Sequence, residues 1–219
     1  MKLSGKTIQI LKNFSTINPS IMFNKGNVLS TISPLKTVMA RVTIDENIEQ
    51  DFGIFDLNRF LAVLSLFDDP ELILCENYVK VSDGRKSVNF IYADPVTMIL
   101  PPNKEIKVGE PYISFDFTAE VQQNVLKAAA VLQLNTVAIA GEDGNLLIKA
   151  INPQNSSSNA FELTLGNTDK KCCINFDCNN LKLMSKDYKV NIAKGIGHFE
   201  SSDGLNYWIT TESSSKYED

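Results

Sequence analysis

Histidine is nearly absent from this 219-residue sequence, in which His198 is the only one. A lone histidine beside a glycine turn is far more often structural than catalytic. The surrounding segment, GIGHF at 195–199, is neither a dinucleotide-binding fingerprint nor a phosphate-binding loop, because no lysine and hydroxyl residue follow in the required places. No carboxylate cluster reads as a Mg²⁺ site. We therefore expect no catalytic residue, no metal and no cofactor. The alternative, an enzyme with an unrecognised site, would need a deep pocket with strongly perturbed titratable groups.

Long apolar runs are also missing, and this excludes membrane-spanning helices. The apolar stretch near the start, Ile8–Phe14, is interrupted by Gln9, Lys12 and Asn13, so we expect no signal peptide. The four cysteines lack the CxxC spacing of a zinc knuckle, and we interpret them as reduced, mostly buried thiols of a cytosolic protein. They are Cys75, Cys172, Cys173 and Cys178.

Acidic residues are absent from the first 44 positions, which hold six basic ones. The next twelve positions hold five acids, and the whole chain has a net charge of −5. This asymmetry fits a protein with one positive surface and a negative remainder. The net charge argues against a simple basic DNA-binding protein. A sequence-specific DNA binder should also carry base-reading side chains on a helix.

The first 18 residues have the pattern of an amphipathic helix with an acid-free polar face. Ser4 can cap its start, and Asn18 before Pro19 ends it, because a residue that precedes proline is pushed out of the helical region. One side is apolar and the other carries lysine, amides and hydroxyls, a composition that suits a surface lying near phosphates without gripping any one of them. An ordinary solvated helix face is the alternative. The apolar positions are Leu3, Ile10, Leu11, Phe14 and Ile17, and the polar ones are Lys6, Gln9, Asn13 and Thr16, with Lys12 at the margin.

The second half of the sequence repeats the order of elements in the first: helix, strands, helix, strands. A proline- and glycine-rich stretch, residues 93–111, separates the halves as an extended connector. We expect an α+β fold of two similar domains, residues 1–107 and 108–219, each with two helices packed on antiparallel sheets. The further helices are predicted at 57–67 behind the N-cap Asp56, at 119–134 behind Thr118, and at 178–185 behind Asp177.

Two smaller features complete the expected fold. Residues 24–27 have the composition of a hairpin turn, and we expect this turn to join strands at 21–23 and 28–32. The polar tail from Ser213 is expected to be loose.

Several stretches of this chain resemble the DNA polymerase sliding clamps of T-even-type bacteriophages. The resemblance spans nearly the whole chain and departs mostly in loops, namely at 152–159, after Gly195 and in the tail. The matching stretches are MKLS at 1–4, LKNFSTIN at 11–18, IM at 21–22, FDLNRFLAVLSLFDD at 55–69, ADP at 93–95, PPNK at 101–104, LQLNTVAIA at 132–140, LTLG at 163–166, and the NF…YK…AKG series from Asn175 to Gly195.

The resemblance implies the DNA-clamp fold and a homotrimer that closes into a ring, with helices around the hole and sheets outside. A clamp of this type encircles duplex DNA without sequence preference and tethers the replicative DNA polymerase for processive synthesis. It further implies an ATP-dependent clamp loader and late-transcription proteins as partners, no membrane association, and a location in the cytoplasm of the infected bacterial host.

The resemblance and the helix patterns together nominate two sets of site residues. The expected DNA-facing residues are Lys6, Lys12, Asn13, Arg59, Gln123, Lys127, Asn179, Lys182 and Lys186. By resemblance, partners insert a short hydrophobic tail peptide near the connector, and the candidates for that pocket are Ile99, Leu100, Pro101, Pro102, Tyr112 and Trp208. The alternative function that the sequence leaves open is a non-catalytic, β-rich virion structural protein.

Overall fold

The computed structural model describes residues 1–102, 104, 106–155 and 157–218. The chain divides into two compact units, Met1–Glu105 and Ile106–Asp219. The sequence places its domain boundary after residue 107, inside the same connector. Both units combine helices with antiparallel sheets, as the α+β prediction requires.

Unit 1 is built from two helices and three groups of antiparallel strands in its described residues. Strand β1 pairs with β4, β2 pairs with β3, and β5, β6 and β7 form a sheet in that order. Helix α1 packs on α2 and on the β2–β3 pair. The elements are α1 (Gly5–Ile17), β1 (Ile21–Phe23), β2 (Gly26–Ile32), β3 (Val38–Ile48), β4 (Phe52–Ile54), α2 (Leu57–Leu64), β5 (Glu71–Leu74), β6 (Tyr78–Ser82) and β7 (Ser87–Ile91).

The expected hairpin between the first two strands is wrong, because β1 pairs with β4 instead of β2. Phe23 and Phe52 are register partners, and their rings stack with centroids 4.5 Å apart. Both rings are buried, so the aromatic contact and the apolar burial favour this distant pairing over the local turn. The local turn signal at 24–27 does not encode that contact.

The first helix follows its sequence pattern closely. Its apolar side is buried, and the Ser4 hydroxyl accepts a hydrogen bond from the Thr7 N–H at 3.2 Å. The helix ends at Ile17, and Asn18 has the extended backbone (φ −141°) that a following proline demands. The buried Asn18 side chain then donates to the Ile32 carbonyl at 2.8 Å, and its own oxygen accepts from the Ser20 N–H. The end of α1 is thereby tied to β2.

Unit 2 contains one α-helix and two groups of antiparallel strands in its described residues. Strands β8, β13, β14 and β15 are neighbours in that order, and a five-stranded sheet has the order β11, β10, β9, β12, β16. Helix α3 packs on β9, β10 and β11. The elements are β8 (Ile113–Phe117), α3 (Ala119–Leu132), β9 (Thr136–Glu142), β10 (Asn145–Ile151), β11 (Phe161–Asn167), β12 (Lys171–Asp177), β13 (Tyr188–Ala193), β14 (Ile196–Ser201), β15 (Asn206–Thr210) and β16 (Lys216–Glu218).

The prediction of a fourth helix at 178–185 is wrong. Only a single 3-10 turn, Cys178–Asn180, follows the cap Asp177, so the described residues contain three α-helices rather than two in each half. Cysteine and asparagine are poor helix formers, and Leu181 and Leu183 are both buried at a spacing of two. Extended chain buries such a pair on one side, whereas a helix would turn one of them outward.

The tail is not loose as expected, because Lys216–Glu218 pairs antiparallel with the start of β12. The Tyr217 ring packs edge-on against Tyr112 at a centroid distance of 5.2 Å. This single aromatic contact gives the tail an apolar anchor that a count of polar residues does not reveal.

Asn18→Ala should lower the free energy of unfolding by about 2 kcal/mol, because the buried Ile32 carbonyl and Ser20 N–H lose their partner. Urea unfolding followed by circular dichroism measures the change. Asn89→Ala, at an exposed position of β7, serves as the control and should stay within about 0.5 kcal/mol of the wild type. Equal stabilities of the two variants would contradict this role of Asn18.

Candidate nucleic-acid interface

The exposed side of α1 is polar and free of acids over its whole length. Lys6 and Lys12 are exposed and Asn13 is half-buried, while Ile10 and Phe14 are fully buried. The structure therefore places the three α1 residues nominated by the sequence on the side of the helix away from its packed stripe. This face attracts anions without presenting any carboxylate that would repel them.

The start of α1 is held by a residue that sequence reasoning missed. Glu46, on β3, accepts a hydrogen bond from the Ser4 N–H and another from the Thr7 hydroxyl at 2.7 Å. In a capping box a glutamate three residues after the cap makes the bond to the cap N–H, but Thr7 occupies that position here. Glu46 supplies the missing carboxylate from 42 positions along the chain, so no local motif could have identified it.

The surroundings of Glu46 favour its charged form. Burial opposes ionisation, but the hydrogen bonds from the Ser4 N–H and the Thr7 hydroxyl outweigh it, so the pKa of Glu46 lies below its ordinary value of 4.5. A carboxylate at a helix N-terminus is further stabilised by the partial positive charge of the first turn. The negative charge near α1 thus sits at the helix end and not on its exposed face.

Helix α2 lies beside α1 in unit 1 and brings one more cation to the exposed side. Asp56 caps this helix by accepting from the Arg59 N–H at 2.9 Å, and Arg59 itself is exposed. The opposite side of the helix, including Leu57 and Phe60, is buried. The helix contains no acid.

Helix α3 presents the corresponding face in unit 2. Gln123 and Lys127 are exposed and four residues apart, so they share one side of the helix. Gln122 is buried and donates to the Leu183 carbonyl, which ties α3 to the segment after the 3-10 turn. Glu120 in the first turn is the one acid of this helix.

The last three nominated DNA-facing residues do not lie on an α-helix, and Asn179 is within the 3-10 turn Cys178–Asn180. Asn179 is exposed and is held by Asp177, whose side chain accepts from the Asn179 N–H at 2.8 Å. Lys182 is half-buried beside the buried leucines. Lys186 forms an ion pair with Asp203, which offsets its charge locally. These three residues have weaker support as a DNA surface than the six on the helices.

The charge of the three helices is opposite in sign to that of the whole chain. They carry the cations Lys6, Lys12, Arg59 and Lys127 and the single acid Glu120. The complete chain has 21 basic and 26 acidic residues. Taken together, the three helices are therefore net cationic in a chain that is net acidic.

The connector residues nominated for a peptide pocket are partly exposed. Ile99 and Leu100 expose 41% and 39% of their surfaces. The Ile99 carbonyl accepts from the Asn18 side chain at 3.2 Å, and the Pro102 carbonyl accepts from Arg41 at 3.3 Å. These backbone contacts hold the segment 99–102 on unit 1 while its apolar side chains stay accessible; Pro101 is half-buried.

The other two pocket candidates belong to unit 2 and are not brought together. Trp208 lies on β15, and Tyr112 directly precedes β8. These two strands are the outer members of the four neighbouring strands, so they lie about 14 Å apart at ordinary strand spacing. Trp208 is 8% exposed and stacks on His198 with ring centroids 5.0 Å apart. Its indole N–H has no hydrogen-bond partner among the described residues.

The described residues contain no group of three or more histidine, cysteine or carboxylate side chains placed to hold a metal ion. Burial raises the pKa of the Cys178 thiol to about 11, which keeps it protonated and unreactive at neutral pH. No helix in the described residues is both long and apolar enough to cross a bilayer.

Glu46→Gln should destabilise the protein by about 1 kcal/mol at neutral pH, since the Ser4 N–H loses its charged acceptor. The wild-type pKa of Glu46 is depressed on folding, so its contribution is present above pH 4.5 and is lost as pH falls through the lower folded value. Thermal unfolding across this range should show the two stabilities converging in acid. Glu49→Gln, at an exposed position of the connection after β3, is the control and should change neither quantity; a constant gap at all pH values would contradict the assignment.

Two family models match the chain. The description "DNA polymerase processivity factor" matches residues 2–100, and "gp45 sliding clamp, C terminal" matches residues 114–213. The sliding clamps of Escherichia phage RB69 and Enterobacteria phage T4 are each 34% identical to this chain and align over all of both chains. The sliding clamp of Vibrio phage KVP40 is 33% identical over 97% of this chain and 99% of its own length.

Solved structures with the same fold include PCNA and DnaN sliding clamps. PCNA of A. fulgidus bound to the C-terminal region of FEN-1 aligns with a TM-score of 0.70 at 15% identity, over 95% of this chain and 96% of that one. The DnaN sliding clamp of Bartonella birtlesii aligns with a TM-score of 0.72 at 15% identity, over 97% of this chain and 64% of that one. At these identities the likeness establishes the fold.

Proposed function

The chain belongs to the DNA polymerase sliding clamps of bacteriophages, whose partners are DNA and the polymerase and which act in the infected host cell, and from this premise we propose how its residues perform that task. Three copies close into a homotrimeric ring around duplex DNA in the host cytoplasm. An ATP-dependent loader opens the ring, and late-transcription proteins are further partners. The role is mechanical, with no catalytic step. The relatives give no support to the alternative of a virion structural protein.

The observation that carries the DNA-contacting role is that the exposed sides of α1 and α2 in unit 1, and of α3 in unit 2, are poor in acids. Lysine and arginine attract phosphates, and this attraction is independent of base sequence because every nucleotide carries the same phosphate. The cations are few and are interspersed with amides, so the surface holds no fixed register along the duplex. Encirclement prevents release, and weak attraction lets the ring slide.

Strand edges in the two units support ring closure by repeated contacts between copies. β7 is the last strand of its sheet and β11 is the last strand of the five-stranded sheet, while the opposite edge of β5 is occupied by Met1, whose carbonyl accepts from the Leu72 N–H. An open edge is a template for pairing with another chain. Pairing β7 of one copy with β11 of the next is a head-to-tail contact, which closes into a ring when the rotation permits.

Replacing Lys6, Lys12 and Lys127 together by glutamate should shorten the products of processive synthesis roughly tenfold or more, because the helical face becomes repulsive to phosphates. The assay contains the cognate polymerase, the loader and ATP, and is run at several salt concentrations. The matched control reverses Lys25, Lys36 and Lys189, which are exposed and lie outside the helices.

Both triple variants change the net charge equally, so a difference between them reports position and not total charge. Sedimentation of each variant should give the wild-type subunit count, three by our proposal. If the helix variant supported synthesis as well as the wild type, the assignment of these lysines to the DNA surface would be wrong.

The exposed apolar side chains of Ile99 and Leu100 are the proposed contact for the polymerase tail, with Pro101 and Pro102 beside them. The A. fulgidus PCNA structure holds the C-terminal region of FEN-1, and a Helicobacter pylori beta clamp is bound to a DNA ligase peptide. Short segments of partners therefore dock on clamps of this fold, and we extend that mode to this chain. Tyr112 and Trp208 are separate candidates on unit 2.

Leu100→Asp should weaken binding of a peptide from the polymerase C-terminus about tenfold, since a charge replaces an apolar anchor. Fluorescence anisotropy with the labelled peptide measures the dissociation constant. Val96→Asp is the matched control, because Val96 lies on the same connector and is 91% exposed, so it has no apolar contact to lose. Equal affinities for the two variants would count against the site.

A further inference from the structure

A cavity of about 930 Å³ lies in unit 2, at the end of the connector. Three separate segments line it: the connector residues 107–112, the turn before β12, and the turn between β13 and β14. Each segment contributes one lysine, namely Lys107, Lys170 and Lys194. We call this the lysine cavity.

Tyr112 holds the three segments together. Its N–H donates to the Ile192 carbonyl at 2.7 Å, which fixes the connector beside β13. Its hydroxyl contacts the carbonyls of Lys171 and Glu218 at 3.1 and 2.6 Å, which fixes it to the ends of β12 and β16. The floor of the cavity is thus part of the folded unit.

The turn that carries Lys170 comes close to β9 at a glycine. A Cβ atom at Gly141 would lie 1.9 Å from the Lys170 carbonyl oxygen, far inside van der Waals contact. Glycine at this position lets the turn lie over the sheet and puts the Lys170 ammonium 5.2 Å from the centre of the Tyr112 ring.

The lining of the cavity has an excess of positive charge in a chain whose net charge is −5. Glu110 is the one acid among the lining residues, against three lysines. Asp169 and Glu218 lie on the adjoining segments and are exposed. Concentrating cations in a concave site of an acidic protein raises the local concentration of anions there.

On the premise that partners are tethered as proposed above, we propose that the lysine cavity binds an acidic segment of a protein partner. This segment is a short run of aspartate or glutamate next to the partner's apolar anchor. Lysine ammoniums are point charges on flexible stems, so they accept carboxylates in varied positions. The volume suits several residues of a peptide and greatly exceeds one compact anion.

Position separates this cavity from helix α3, which carries the proposed DNA-facing residues Gln123 and Lys127 of unit 2. Helix α3 starts beyond the far end of β8, and the five residues of that strand span about 17 Å from the cavity end. Connector residues 107–112 form one wall of the cavity, which links it along the sequence to the proposed anchor residues of the same connector. Opposite charges would also speed the encounter of tail and clamp.

The test compares labelled synthetic peptides that share an apolar anchor and differ in the flank, which is a block of glutamates or of glutamines. Wild-type clamp should bind the glutamate peptide about tenfold more tightly at low salt, and the preference should fade as salt rises. Replacing Lys107, Lys170 and Lys194 by glutamine should abolish the preference. The control, with Lys25, Lys36 and Lys189 replaced by glutamine, should keep it.

The outcomes separate this proposal from the one it rests on. Leu100→Asn, which removes the apolar contact without adding charge, should weaken both peptides equally, whereas the cavity variant should weaken the glutamate peptide alone. A peptide of glutamates alone, titrated at low salt, tests the cavity without the apolar anchor. If the cavity variant no longer binds this peptide, the cavity is an acidic-peptide site even if Leu100 proves not to be the anchor. A preference that survives in the cavity variant, no binding of any glutamate peptide to the wild type, or an equal loss of binding to a duplex oligonucleotide would overturn it.

Discussion

The hydrogen bonds at the two ends of α1 are what the proposed DNA surface depends on. Glu46 holds the first turn from β3, and the buried side chain of Asn18 holds the last turn through the Ile32 carbonyl. Between these points the apolar stripe is buried on one side only. Because these anchoring contacts lie at the ends of the helix and beneath it, its exposed face can carry the lysines and amides that we propose attract phosphates without fixing them.

Acidic and basic side chains also have separate positions in the rest of the chain. Carboxylates are used where they cap or pair, as Asp56 does at α2 and Asp203 does with Lys186. The exposed helix faces are left almost without acids, and Glu120 at the start of α3 is at the end where a helix favours negative charge. An acidic protein can thus carry cationic helices without becoming basic overall, which would limit attraction to DNA that the proposed ring does not enclose.

What could be predicted from the sequence is what local patterns encode. The caps Ser4, Asp56 and Thr118 and the stop of α1 before Asn18 follow from residues within one turn of them, whereas α2 ends at Leu64, three residues before its predicted end. The resemblance to phage clamps supplied the family. Three features that the sequence did not reveal are contacts between distant positions: Phe23 pairs with Phe52, Glu46 binds Ser4, and Tyr217 packs on Tyr112. The fourth helix failed because a good cap, Asp177, precedes residues whose leucines bury best in extended chain.

The close approach at Gly141 has a consequence for the diversity of these proteins. Because any side chain there would collide with the Lys170 carbonyl, the turn and its lysine are compatible only with glycine at this point of β9. Homologous chains with a bulkier residue must route that turn differently and forfeit the arrangement around Tyr112. If the lysine cavity binds acidic segments as proposed, the residue at this one backbone position would indicate which phage clamps recruit acidic partners.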